Sequence, residues 1–205
     1  MNLMQNPSTA SVVWIRTGVV AGLSVSLVYP AVIFLPLPKL AITVLAASMG
    51  PLLAVASLGL GELLQIPRPS VPARLGMAFN FAAGALLSAM LLVQLAVKAR
   101  LQGAKASPEL VGIWLGLDVA WDVYVSIGTG LFALAMLKHP RFGKVFGGIG
   151  LVIAMFLLVL NLFTFPTPPA DAGLIDVGPV VGLWYLVATV QAWRSLPWVR
   201  SVVTH

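Results

Sequence analysis

Six apolar stretches, each close to the length of a bilayer crossing, follow one another along the chain, at 17–35, 40–63, 75–97, 110–137, 145–165 and 174–193. About 20 apolar residues in a helix cover about 30 Å, the thickness of a hydrocarbon core. In that medium every backbone N–H and C=O needs a partner within the protein, and an α-helix supplies it segment by segment. The expected fold is therefore all-α: a polytopic transmembrane helical bundle of about six spans, one integral-membrane domain over residues 1–205. Only 9% of the residues are charged and the mean hydropathy is +1.01, whereas a soluble domain is about 25% charged. A soluble enzyme, a disordered chain and a fibrous protein are excluded on that ground.

The charges that remain give an orientation. Twelve Lys and Arg face six Asp and Glu, and the basic residues are spread over short loops, which argues for a membrane topology and against nucleic acid. Arg16, Arg68, Arg74, Lys138, Arg141, Lys144, Arg194 and Arg200 fall on one side. Lys39, Lys98, Arg100 and Lys105 fall on the other. Positive charge stays inside, so both termini are expected in the cytoplasm of a bacterium, with the chain multi-pass in its inner membrane. The first ten residues hold no Lys or Arg, so a cleaved signal peptide is not indicated. Trp14, Trp114, Trp193 and Trp198 sit near expected interfaces, whereas Trp121 and Trp184 lie well inside their spans.

Several chemistries lack their residues. There is no cysteine, hence no disulfide or thiolate site. His139 and His205 both lie outside the spans, which argues against an intramembrane haem or histidine metal centre. No lysine sits in mid-span to carry a retinal Schiff base. The stretch Gly128-Thr129-Gly130 is too short for a phosphate loop, and no nucleophile has a base nearby in sequence. No cofactor and no catalytic residue are expected.

The strongest local signal is Leu117-Asp118-Val119-Ala120-Trp121-Asp122-Val123-Tyr124. Asp118 and Asp122 are four residues apart, so both project from one helical face, about 6 Å from each other. Counted from Leu110 they stand about 12 and 18 Å into the span, which puts Asp122 near the midplane. Each costs on the order of 2.5–3.5 kcal/mol to insert there, so the pair needs partners, water or a bound cation. At least one of the two is expected to hold a proton at neutral pH unless a cation replaces it. Counting depth along the other spans brings Tyr29, Gln94 and Asn161 to the same outer half, with Trp121, Trp184 and Tyr185 as aromatic walls. Asn80, Gln94 and Asn161 also suit plain interhelical hydrogen bonding. Two carboxylates without histidine would suit Mg²⁺ or Ca²⁺, but two ligands leave the metal open. Five of the six acids, all but Glu62, belong to the outer half, and Arg16, Arg68 or Arg74 could pair with Glu62.

Packing devices complete the pattern. Tyr29-Pro30 and Gly50-Pro51 interrupt the first two spans and read as packing features. Small residues recur at four-residue spacing at Gly76, Gly84 and Ser88, at Gly112, Gly116 and Ala120, and at Gly143 and Gly147. They let helices approach closely, within the chain or in a homo-oligomer, and within the chain is the expectation. The proline-rich loop 163–171 reads as a stiff, extended connector.

Three runs, Leu117-Asp118-Val119-Ala120-Trp121-Asp122, then 132–143 from Phe132 to Lys138-His139-Pro140-Arg141-Phe142-Gly143, then Phe163-Thr164-Phe165-Pro166-Thr167-Pro168-Pro169, carry a resemblance. The stretch 117–183, about a third of the chain, resembles a family of bacterial six-span membrane proteins of unknown function. The resemblance implies six bacterial spans and no activity, cofactor or catalytic residue. The functional expectation is binding or transport of a small cationic solute or protons at the aspartate pair. The alternative is a non-catalytic subunit or scaffold of a larger membrane complex. An intramembrane enzyme acting on lipid has the apolar setting but no motif.

Overall fold

A computed structural model describes residues 9–101 and 104–203; His205 lies outside them. Among the described residues there are six helices and no strand: α1 Thr9–Phe34, α2 Lys39–Leu64, α3 Val71–Leu101, α4 Pro108–Met136, α5 Gly143–Thr164 and α6 Gly178–Val203. The first five are long and apolar enough to cross a membrane. The sixth apolar stretch becomes α6, which is long enough but diluted by Gln191, Arg194, Pro197 and Arg200.

Helices α1 to α5 run alternately up and down, each packed mainly on its neighbours in sequence, while α6 packs chiefly on α1. The end at which α1 starts is called here the near end, and the other the far end. Glycine sets the closest approaches: Gly18 meets Gly59 across α1 and α2, and Gly50 meets Gly84 and Ser88 across α2 and α3. Gly76 lies against Phe132, and Gly147 against Ala133 and Leu137. These stripes pack within the chain, whereas a β-carbon on Gly112, Gly116 or Gly143 would meet nothing within 4 Å.

The polarity is inverted relative to a water-soluble protein. Asn80, Asn161, Thr129, Ser57 and Ser126 are buried, whereas Leu27, Val152, Leu162 and Phe163 point outward. Buried Ser and Asn side chains turn back onto their own helices, as Ser57 Oγ does to the Leu53 carbonyl at 2.8 Å. An apolar exterior over such an interior suits lipid, where the backbone and the few polar groups must be satisfied inward.

The segment 165–177 departs from the extended connector read from its prolines. It folds into successive turns, with Ala172 N–H donating to the Pro168 carbonyl at 3.0 Å and Leu174 N–H to that of Pro169 at 2.8 Å. Gly173 takes a φ of +78°, the left-handed backbone that glycine tolerates. Pro168 and Pro169 are buried, and Val177 joins the cluster of Ala83, Val125, Leu157 and Val181. Val125 is about 25 Å along α4 from its far-end start. The last helix therefore begins inside the bundle rather than at its far surface, capped by Asp176 Oδ1, which accepts from Gly178 N–H at 2.8 Å.

At the near end the Lys138–Phe142 turn is stitched to α2 and α6. His139 is buried; its Nδ1 accepts from Arg141 N–H at 3.2 Å and its Nε2 lies 3.2 Å from the Leu63 carbonyl, which selects the neutral Nε2–H tautomer. Phe142 and Trp198 pack on the ring at 5.3 and 5.6 Å, and Gln191 Nε2 donates to the Arg141 carbonyl at 2.6 Å. Burial holds the imidazole below its ordinary pKa; the Leu63 and Ile66 carbonyls act against that shift and the Arg141 cation adds to it. A folded value below the unfolded one means that the unfolded chain takes up its proton first. The contribution of His139 is complete above about pH 6.5 and declines as pH falls from there through the folded value. The melting temperature in detergent should accordingly fall from neutral to mildly acidic pH, with a shallower slope in His139→Asn. Nearby Glu62 accepts from Ser11 Oγ at 3.3 Å, a partner other than the arginines expected for it.

Candidate functional site

Asp118 and Asp122 stand one turn apart on α4. Asp122 is 7% exposed and Asp118 half-buried. From α5, Asn161 reaches the Asp122 carboxyl. The register between the two helices, with Gly147 against Ala133 and Leu137, brings these residues to the same level. Asn161 is 0% exposed; its Nδ2 donates to the Leu157 carbonyl at 3.0 Å and its Oδ1 has no hydrogen-bond partner. Trp121 Nε1 is likewise buried without a partner. Among the described residues these are the two buried side-chain polar atoms left unpaired, one an acceptor and one a donor. Both belong to residues adjoining Asp122. A buried unpaired polar group costs about 1–3 kcal/mol, and the Trp121 ring packs among apolar residues that include Met49, Leu53, Leu87 and Met90.

The turn segment adds to the acidic field. The charged groups that act on Asp118 are Asp171 and Asp176, and Asp118 and Asp176 act in turn on Asp122. Asp171 and Asp176 are both exposed. Exposed Asp171 and Asp176, half-buried Asp118 and buried Asp122 thus share one acidic region. Tyr29 on α1, 46% exposed, lies within the electrostatic reach of Asp118 and Asp176. Among the described residues no three His, Cys, Asp or Glu side chains converge as the ligands of one metal ion. The acids among the described residues therefore do not form a multi-carboxylate cage.

The remaining sequence candidates separate from this group. Gln94 is half-buried on α3. The register of Gly76 against Phe132 and Asn80 against Gly128 sets it opposite Trp114, one turn beyond Asp118. Trp184 stacks on Phe146 at 5.2 Å, lies against Gly150, and belongs to the cluster of Phe132, Ala133 and Met136 toward the near end. Tyr185 points its hydroxyl at a second polar group: it donates to Asn80 Oδ1 at 2.9 Å and accepts from Thr129 Oγ1–H at 3.0 Å. Asn80 Nδ2 donates in turn to the Gly76 carbonyl at 2.9 Å.

That triad and the pair share one face of α4. Asp118, Asp122, Ser126 and Thr129 follow at spacings of four, four and three, and the line ends on Ala133 and Met136 in the apolar cluster. The i, i+4, i+8, i+11 spacing of Ser126 and Thr129 with the aspartates is the signal by which they could have been found. Asp176 had none, because its approach to Asp118 depends on how 165–177 folds. No family model, no curated protein and no solved structure matches the chain.

Proposed function

We propose that the chain is a six-segment protein of the bacterial inner membrane, with both termini cytoplasmic, that binds and transports a proton or a small cation entered from the far face. The observation that carries this reading is the graded line of carboxylates, exposed at Asp171 and Asp176, half-buried at Asp118 and buried at Asp122. An acidic entrance concentrates cations, and a buried carboxylate within a bundle is costly enough to be retained for a purpose. In this reading the sixth segment crosses as the turns of 165–177 followed by α6, and the five more apolar helices cross alone.

The test is proton entry into liposomes holding the purified protein and an entrapped pH-sensitive dye, driven by a potassium diffusion potential. Wild type should acidify the lumen, and Asp118→Asn with Asp122→Asn together should reduce the rate to that of empty liposomes. An unchanged rate in the double variant refutes the reading. The alternative, a non-catalytic subunit of a larger complex, draws on Gly112 and Gly116, where an added β-carbon would meet nothing within 4 Å among the described residues. Stoichiometric co-purification of another membrane protein in mild detergent, together with no proton entry, would favour it.

A further inference from the structure

We propose that the outer groove between α1 and α2 binds one anionic phospholipid, with its phosphate on Arg16 and an acyl chain along the apolar wall beyond it. The inference goes past the transport reading: it rests on the membrane-spanning part of that reading and uses neither aspartate. The groove has a volume of about 470 Å³, lined from α1 by Arg16, Val20, Ala21 and Ser24 and from α2 by Pro51 and Leu52. That lies within the range of small-molecule sites, about 300–1,000 Å³. It opens outward, since Arg16, Val20 and Pro51 are exposed. Ser24 Oγ–H is committed to the Val20 carbonyl at 2.9 Å, so the stretch from Val20 to Ser24 offers no free side-chain donor. One end of the groove is cationic and the rest is apolar.

Level and charge select the occupant. Arg16 to Ser24 spans eight residues, about 12 Å of helix, most of one leaflet's half of a hydrocarbon core about 30 Å thick. Trp14 is 48% exposed, half a turn nearer the start of α1. The approach of Gly22 to Thr189 sets exposed Trp193 and Arg194 of α6 within about a turn of the level of Arg16. Exposed tryptophan rings settle among headgroups, so Arg16 stands where a lipid phosphate lies and the groove runs where its chain lies. Among the described residues no hydrogen bond or ion pair engages the Arg16 guanidinium. The near end carries eight basic residues against one acid, Glu62, which accepts from Ser11. A guanidinium fork matches phosphate oxygens with two parallel bonds. A zwitterionic headgroup brings its own cation into that positive field, whereas phosphatidylglycerol brings none.

Native mass spectrometry of the delipidated protein in detergent, titrated with dioleoyl phosphatidylglycerol or dioleoyl phosphatidylcholine, reads the site. Wild type should hold one phosphatidylglycerol about fivefold or more tighter than phosphatidylcholine, the weight of one basic residue at an anionic surface. Arg16→Gln should remove that preference by weakening phosphatidylglycerol alone. Val20→Trp fills the groove from an exposed position and should weaken both lipids. Lys144→Gln removes an exposed charge from the same end, outside the groove, and should change neither. Equal binding of the two lipids by wild type overturns the proposal, as does an unchanged preference in Arg16→Gln or an equal loss in Lys144→Gln. A wild-type dimer that Val20→Trp separates would give the groove to a second copy of the chain and overturn it too. The lipid readout involves neither aspartate and the proton-entry assay involves no lipid preference, so either reading can fail alone.

Discussion

Gly59→Leu is expected to prevent accumulation of a monodisperse, folded protein, whereas Gly112→Leu is expected to leave folding intact. A β-carbon on Gly59 would stand 2.5 Å from Gly18 Cα and 2.7 Å from the Trp14 carbonyl oxygen. Both obstacles are backbone, so no rotamer change relieves them, and α1 and α2 must separate along their whole contact. Separation would also disturb the cluster of Ile15, Val19 and Leu63 beside the crossing. Overpacking commonly costs about 1–3 kcal/mol, and a clash between two backbones belongs at or above the top of that range. At about 1.4 kcal/mol per tenfold, a loss at the top of that range shifts the folded-to-unfolded ratio about a hundredfold, and one above it consumes much of a total stability of about 5–15 kcal/mol. Gly18→Leu should behave alike, since its β-carbon would meet Gly59 Cα at 2.5 Å. At Gly112 a β-carbon meets nothing within 4 Å, and loss of a helix-interior glycine gains up to about 1 kcal/mol in propensity. Size-exclusion profiles and melting temperatures in one detergent measure all three variants. A monodisperse Gly59→Leu with the wild-type melting temperature would refute the close crossing.

What the sequence made legible follows from what hydropathy can register. It registers apolar length, so five helices long and apolar enough to cross a membrane were readable from their apolar stretches. It registers helix ends poorly, because backbone hydrogen bonding continues through charged residues. Helix α3 begins at Val71 and ends at Leu101, taking in Arg74, Lys98 and Arg100, where the apolar core alone ran from 75 to 97. The sixth stretch misled more. Reading it as a span from 174 to 193 placed its start at the far surface, and depth was counted from there. The helix instead starts at Gly178, beside the cluster that Val177 forms with Val125 and Leu157. Every residue on it is displaced toward the near end by that descent. Trp184 therefore meets Phe146 and Phe132 instead of the aspartates, and Tyr185 meets Asn80 and Thr129. On α5 the register of Gly147 against Ala133 and Leu137 sets Asn161 level with Asp122. The pairing of Tyr185 with Asn80, 105 residues apart, had no local signature at all.

Asp122→Asn alone is expected to abolish proton entry into liposomes, whereas Asp118→Asn alone should slow it while leaving it measurable. The two acids are chemically identical and one turn apart, so the difference rests on surroundings. Asp118 is half-buried and shares its field with Asp171 and Asp176, so its loss leaves other carboxylates in the approach. Asp122 is 7% exposed, touches Asn161, and has only Ser126 and Thr129 beyond it on the same face of α4. Neither hydroxyl can take its place as a stable carrier of charge, since Ser126 Oγ–H is committed to the Asp122 carbonyl at 2.6 Å and Thr129 Oγ1–H to Tyr185. Asparagine preserves the volume of either residue, so altered packing does not explain the contrast. An entrance widens the supply of ions and tolerates the loss of one member of a series. A single buried relay tolerates none. Equal loss in the two single variants would make the pair one coupled site, and a larger loss in Asp118→Asn would reverse the order of passage assigned to them.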